Sequence, residues 1–489
     1  MKKSIRRGLA CLVILVIMYL LLLIPDSNKA VANAATHQPF AWRNDSLWNQ
    51  LEKQFKNAKA EKKASVDSGI YSLFVEEERL FNKIQGPNIT ATDTSFKLIL
   101  NNFFSLASLI AAQPQQRDSF IQYYCKVRNE IKWQSRHWDI NDRSVRNSLY
   151  QLFYGMRAAE EEVLLQTSSI PFNAAVRVTD EPSVTPSVMV FGIKVHSGDL
   201  LVSRGGAEVS ALISRGNDYP ANFSHVALIY VNDNKEAFLI EAHIEKGVAI
   251  SSLQQYIKDK KLRCMILRPE VGLAKLQQDA MLPDKAARLA YNEALSRHIP
   301  YDFKMNFYDS TAMFCSEVAS YAYKKNGIGL WQGVSTISSP GVVSWLHAFG
   351  VENFVTQMPG DLEYDPQLSI VAEWRDPETL FKDHVDNAVM DVLLEVADKG
   401  KQIDYNIWQL PMVRVIKGWC MAKNYFGKTG IIPEGMSATQ ALKNQYFVAM
   451  HKSLKIKTAV KIQDFIKENN YQPPYWQMIN LAREAALEN

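Results

Sequence analysis

Three residues of this chain have side chains suited to nucleophilic catalysis: Cys315, His225 and Glu241. A thiol, an imidazole that takes its proton and a carboxylate that orients the imidazole are the set needed to attack a carbonyl. Cys315 stands in the run Met313-Phe314-Cys315-Ser316-Glu317-Val318-Ala319-Ser320-Tyr321-Ala322-Tyr323. Val318, Ala319, Ala322 and Tyr323 recur at helical spacing and predict a helix that starts at or just before the cysteine. Asp309, Ser310 and Thr311 are its expected caps, and Lys324-Lys325 before Gly327 and Gly329 ends it. A thiol in the first turn meets the positive end of the helix dipole, which favours the thiolate. A cysteine taken alone is more often a small buried hydrophobe, so the case needs a partner.

The stretch Ala221 to Val231 supplies one. It reads as a strand with His225 near its start, and Ala237 to His243 reads as a second strand after the turn Asn232-Asp233-Asn234-Lys235. If Val231 pairs with Lys235 across a three-residue loop, His225 lies opposite Glu241. A slip of one residue would put the two on opposite faces.

These runs, in this order, resemble a known family. Gly198-Asp199-Leu200-Leu201, Ser224-His225-Val226, Glu241-Ala242 with Gly247-Val248, Tyr301-Asp302-Phe303 and Phe314-Cys315-Ser316-Glu317 look like the YiiX/YebB-like permuted papain-like amidases, a circularly permuted branch of the NlpC-type cysteine hydrolases. The order His, acid, Cys marks the permutation. The resemblance runs from roughly Val188 to Phe381 and implies Cys315 as nucleophile, His225 as general base and Glu241 as the group that orients it. It also implies an α+β fold, a small antiparallel sheet with the cysteine helix packed against it.

Several other residues are weaker candidates. His243 lies two residues beyond Glu241 on the same strand face and could stand in for either partner; His298 precedes Tyr301-Asp302. On spacing alone Gly198-Asp199 is a plain turn. No Cys-x-x-Cys or His-Glu-x-x-His spacing appears, which argues against zinc, and no phosphate-binding glycine loop is present, so no cofactor is expected. With Cys315 kept free as a nucleophile, Cys125, Cys264 and Cys420 leave room for at most one disulfide.

The elements that must position these residues fall into five stretches. Residues 1–35 hold Lys2, Lys3, Arg6 and Arg7 before an apolar run from Gly8 to Ile24, a signal anchor or a signal peptide cut near Ala32-Asn33-Ala34. The basic end should stay cytoplasmic, leaving the rest in the periplasm. Residues 36–167 predict a helical bundle, with apolar stripes marking its core. Residues 168–187, with Pro171, Pro182 and Pro186, read as a linker. Residues 188–381 form the hydrolase block, in which Ser338-Ser339-Pro340-Gly341 is a loop expected near the cleft. Residues 382–489 read as a helical tail in which Pro411 interrupts the pattern after Gly400. The net charge of +4 is carried by the first 34 residues, so the body is neutral and nucleic acid is not an expected partner. The expected reaction is amide hydrolysis through a thioester, on cell-wall peptides. The alternatives are hydrolysis or transfer of lipid acyl chains, and a binding module in which Cys315 is inert. Length and pattern leave the oligomeric state open.

Overall fold

A computed structural model describes residues 2–26, 37–42, 45–259, 261–307 and 309–488. The expected cleavage site Ala32-Asn33-Ala34 lies outside them. The architecture is α+β. Seven strands form one sheet: β1 (Ala175–Arg177), β2 (Leu200–Gly205), β3 (His225–Val231), β4 (Ala237–His243), β5 (Gly247–Ser252), β6 (Lys261–Pro269) and β7 (Leu368–Trp374). Their spatial order is β1-β7-β6-β2-β3-β4-β5, and every neighbouring pair is antiparallel.

The run His-Val-Ala-Leu-Ile-Tyr-Val of β3 is apolar almost throughout because the strand is buried on both faces. Val226, Leu228 and Tyr230 face one apolar core; Ala227, Ile229 and Val231 face another. The first core also receives Val318, Ala319, Ala322 and Tyr323 of the helix Cys315–Lys325, the face predicted from spacing. It extends without a break into the N-terminal helices, where Phe103, Phe120, Leu149 and Phe153 are fully buried.

Those helices are Asp45–Ala60, Lys63–Ile84, Thr94–Ala112, Arg117–Ser135 and Arg143–Gln166. Thr94–Ala112 is long and apolar enough to cross a membrane, but half of its apolar window is buried, so it packs as a core helix. Asp142 caps the helix it precedes, accepting from the Ser144 N–H at 2.7 Å. The stretch 168–187 departs from a plain linker: Ala175–Arg177 pairs with Ala372–Trp374 and forms the edge of the sheet. Only a partner strand distant in sequence could reveal this, since the three residues carry no strand pattern of their own.

In the C-terminal part, Pro377–Asp398 packs against Ala438–Asn469 and Tyr475–Leu487. Pro411 does not interrupt a helix. It stands in the first turn of Leu410–Tyr425, where its missing N–H costs nothing. The helix Lys2–Leu22 stands off the body, with its side chains exposed from Leu9 to Leu21.

Candidate active site

The site lies where β3 and β4 meet the start of the cysteine helix. The hairpin is longer than expected: Val231 pairs with Ala237 across a five-residue loop, and Glu241 pairs with Ala227. Lys235, at φ 62°, sits in the left-handed region that this longer turn needs. The register is therefore two residues from the direct pairing of His225 with Glu241. Because side chains alternate with a period of two, the shift keeps both on one face. His225 Nε2 lies 2.6 Å from Glu241 Oε2.

Glu241 holds a second imidazole. His243 Nε2 lies 3.1 Å from Oε1, so one carboxylate is clasped by two histidines. Burial opposes the charge on Glu241, yet the hydrogen bonds from His225 and His243 hold it well below the usual carboxylate range. His243 stands beside His225 on Glu241. It shares the carboxylate, an arrangement readable in the spacing Glu241-x-His243 only once the strand face is known.

The helix begins at Cys315, as the sequence predicts, but not through the expected caps. Asp309 accepts from Thr311 in a turn of its own. Glu317 reaches back to the Phe314 N–H at 2.9 Å and fixes the entry to the helix. A glutamate at the third helical position is the available sequence signal for that role. Burial pushes the Glu317 carboxyl up to about 8.

The sulfur lies against the backbone on both sides of His225. Cys315 Sγ is 3.8 Å from the Ser224 carbonyl oxygen, and the nearby backbone of Val226 and of Ser316 favours its ionised form. No hydrogen bond joins the thiol to the imidazole, and among the described residues Nδ1 of His225 has no partner. The alternation of β3 explains this. His225 and Glu241 share the face of Ala227 and Leu239, whereas the cysteine helix packs on the face of Val226 and Ile240. The sulfur lies beside the backbone that leads into His225, at the start of the strand.

Electrostatics oppose the thiolate that the helix start favours. Burial raises the Cys315 thiol to about 11, outweighing the N–H groups at the helix start. Burial also lowers His225, against the pull of Glu241. At neutral pH the pair is thiol and neutral imidazole.

The flanking motifs hold this geometry in place. Tyr301 bridges to Met313, and the Asp302 N–H donates to the Met313 carbonyl at 3.2 Å, tying this loop to the residues before Cys315. Asp302 accepts from the N–H groups of Lys304 and Asn306, at 2.8 and 2.6 Å. Gly247, at φ 74°, lets the chain pass the Ile299 carbonyl, which a Cβ would strike. Over residues 194–372 the chain matches the family described as permuted papain-like amidase enzyme, YaeF/YiiX, C92 family. That stretch is similar to the permuted papain-like amidases. The family is one of cysteine peptidase-type hydrolases. No curated protein and no solved structure matches the chain.

Three other sequence candidates lie elsewhere. Asp199 is buried in a bidentate pair with Arg268, 2.8 Å on each side, and anchors β2 to β6. His298 contacts Glu434 at the surface, at 2.9 Å. Ser339 caps Pro340–Ala348 and borders a different cavity. That cavity, about 580 Å³, lies between the N-terminal bundle and the C-terminal helices, and Cys315, His225 and Glu241 do not line it. All five cysteines are free thiols, and among the described residues no cluster of histidine, cysteine and carboxylate is set to hold a metal.

Proposed function

We propose that the amidase block hydrolyses amide bonds through Cys315, with His225 as general base and Glu241 as the group that holds it. The observation that carries this reading is the position of the sulfur, set against the backbone on both sides of His225 while Glu241 occupies the other ring nitrogen. Nδ1 is thereby the acceptor available to the thiol. The thiol turns from the Ser224 carbonyl to Nδ1 and gives up its proton as sulfur bonds to the substrate carbonyl carbon. The N–H of Cys315 at the helix start donates to the developing oxyanion. The amine leaves with the imidazolium proton, and water, deprotonated by the same imidazole, releases the acid from the thioester. Because the resting pair is neutral, proton transfer accompanies attack.

Cell-wall peptides are the proposed substrates, met in the periplasm by a chain anchored through, or released after, its N-terminal apolar segment. The basic residues before that segment support this placement. A lipid acyl donor would pass through the same thioester. A binding module with an inert thiol is the competing reading, and the missing thiol–imidazole bond favours it.

One experiment separates these readings. The full chain, in detergent, is offered cell-wall peptides, peptide anilides and acyl esters, and the mass at Cys315 is followed with and without His225→Ala. A thioester formed from peptide donors, and slowed by the substitution, supports the amidase. A thioester formed from acyl lipids alone moves the substrate to lipid. No adduct from any donor, with iodoacetamide labelling indifferent to His225→Ala, would leave the binding module.

A further inference from the structure

The helix Leu410–Tyr425 is built inside out. Trp408, Met412, Val415, Trp419, Ala422 and Phe426 follow at intervals of three or four residues and make one stripe. In a surface helix of a globular protein such a stripe faces the core. Here it faces outward: Trp408, Met412, Val415, Trp419 and Phe426 are 60–75% exposed. The side that packs on the body is carried by few residues, among them Leu410 and Cys420.

Charge and location say what covers the stripe. From Trp408 to Pro433 the chain has Arg414, Lys417, Lys423 and Lys428 and no acidic residue. The helix also holds the exit end of the apolar N-terminal helix. Arg414 donates to the Leu22 carbonyl at 3.0 Å and to Asp26 at 2.8 Å, and the Tyr19 hydroxyl donates to the Trp408 carbonyl at 3.3 Å. Arg414 thus satisfies carbonyls left free at that helix end. An apolar face rich in tryptophan, flanked by cations and fixed to the end of a membrane anchor, has the composition of a helix lying in the bilayer interface.

We infer that Leu410–Tyr425 lies on an anionic lipid surface, with the Trp408–Phe426 stripe in the acyl boundary and Lys423 and Lys428 at the headgroups. The inference rests on the N-terminal helix serving as an anchor. It also places the amidase site close to the membrane. Gly435, soon after the helix, packs on Phe303 so closely that a Cβ there would meet its ring, and Phe303 stacks edge-on with Tyr301 at 5.0 Å.

The test reads tryptophan emission from the full chain reconstituted in vesicles of phosphatidylcholine and phosphatidylglycerol, with plain or brominated acyl chains. Bromine quenches only tryptophans that reach the acyl region. Brominated vesicles should quench the wild type, and Trp408→Phe with Trp419→Phe should remove most of that quenching. Met412→Glu, which keeps both tryptophans, should lower it as well, because a carboxylate on this face is costly in the acyl boundary. Lys423→Gln with Lys428→Gln should lower it when phosphatidylglycerol is present and leave it unchanged in phosphatidylcholine alone. No quenching of the wild type, or equal quenching in the double tryptophan variant, would overturn the inference and assign the stripe to a protein partner. The reading does not depend on catalysis, so an inactive Cys315 would leave it standing.

Discussion

A cluster of buried carboxylates at one end of the sheet and the single buried Glu241 at the other differ in what neutralises them. Near the bundle, Glu161, Glu363, Glu373 and Asp383 meet Arg128, Arg157, Arg263 and Arg375, all buried. At the far end of the sheet, Glu241 meets His225 and His243. Burial opposes ionisation in both places, and the partners overcome it. Arg263 and Arg375 hold Glu161 well below its usual range, and Arg128 with Arg375 brings Glu373 down to about 2. An arginine cannot release its proton near neutral pH, so the first group, apart from the contact of His384 with Glu161 at 2.9 Å, is a fixed fastener. A histidine can, so the second is able to pass a proton on. The same burial becomes structure or chemistry according to the base beside the acid.

The fastener also joins what the sequence divides. Arg128 and Glu161 belong to the N-terminal helices, Arg263 and Glu373 to the sheet, and Asp383 to Pro377–Asp398, where it accepts from Arg263 at 2.6 Å. Packing crosses the same divisions, since one apolar core runs from Leu51 to Leu380.

The sharpest way to test the contrast is to remove one member on each side. Cys315→Ser should cut turnover by about 10³-fold or more while leaving the urea midpoint in place. Arg375→Met should do the reverse, costing about 3 kcal/mol of stability because it takes one of two arginine partners from each of the buried Glu161 and Glu373, as read from urea unfolding. If Arg375→Met left stability unchanged, the network would not be the fastener described. Glu241→Gln should lower kcat/KM by about 10²-fold, through loss of the group that fixes His225, with a small change in unfolding.

The pH profile tests the proton logic. His225 is lowered from its ordinary 6.5, so kcat/KM should climb through a limb below that value and stay level across neutrality. The thiol, at about 11, should contribute no limb until strongly alkaline pH. Iodoacetamide labelling of Cys315 should rise with pH toward that value; fast labelling that persists into the acid range would instead indicate a standing ion pair. The smallest effect is expected for His243→Gln, less than about tenfold on kcat/KM, as for a partner that acts through another group. It should move the acid limb upward, because the nearby His243 charge lowers His225.

Much of the site was legible in the chain because it depends on local pattern. The helix beginning at Cys315, the strand opening with His225 and the strand carrying Glu241 follow from spacing and turn residues. The pairing of His225 with Glu241 survived a wrong loop length because an even slip preserves the face. The partnership of His243 with the same carboxylate, and of Glu317 with the Phe314 N–H, needed the register and the cap geometry.

The sequence by itself determined the order of the elements, the apolar faces, the neutral body behind a basic N-terminus and the three residues proposed to do the chemistry. Tertiary structure alone decided the protonation of the thiol, since burial outweighs a helix start that favours the thiolate. It decided that the cysteine helix and the His–Glu pair occupy opposite faces of the sheet, with the sulfur against the Ser224 carbonyl just before His225. It decided that Ala175–Arg177 joins the sheet and that the apolar stripe of Leu410–Tyr425 faces outward. Each of these depends on groups distant in the chain, and periodicity records only that a residue has a face, not what that face meets.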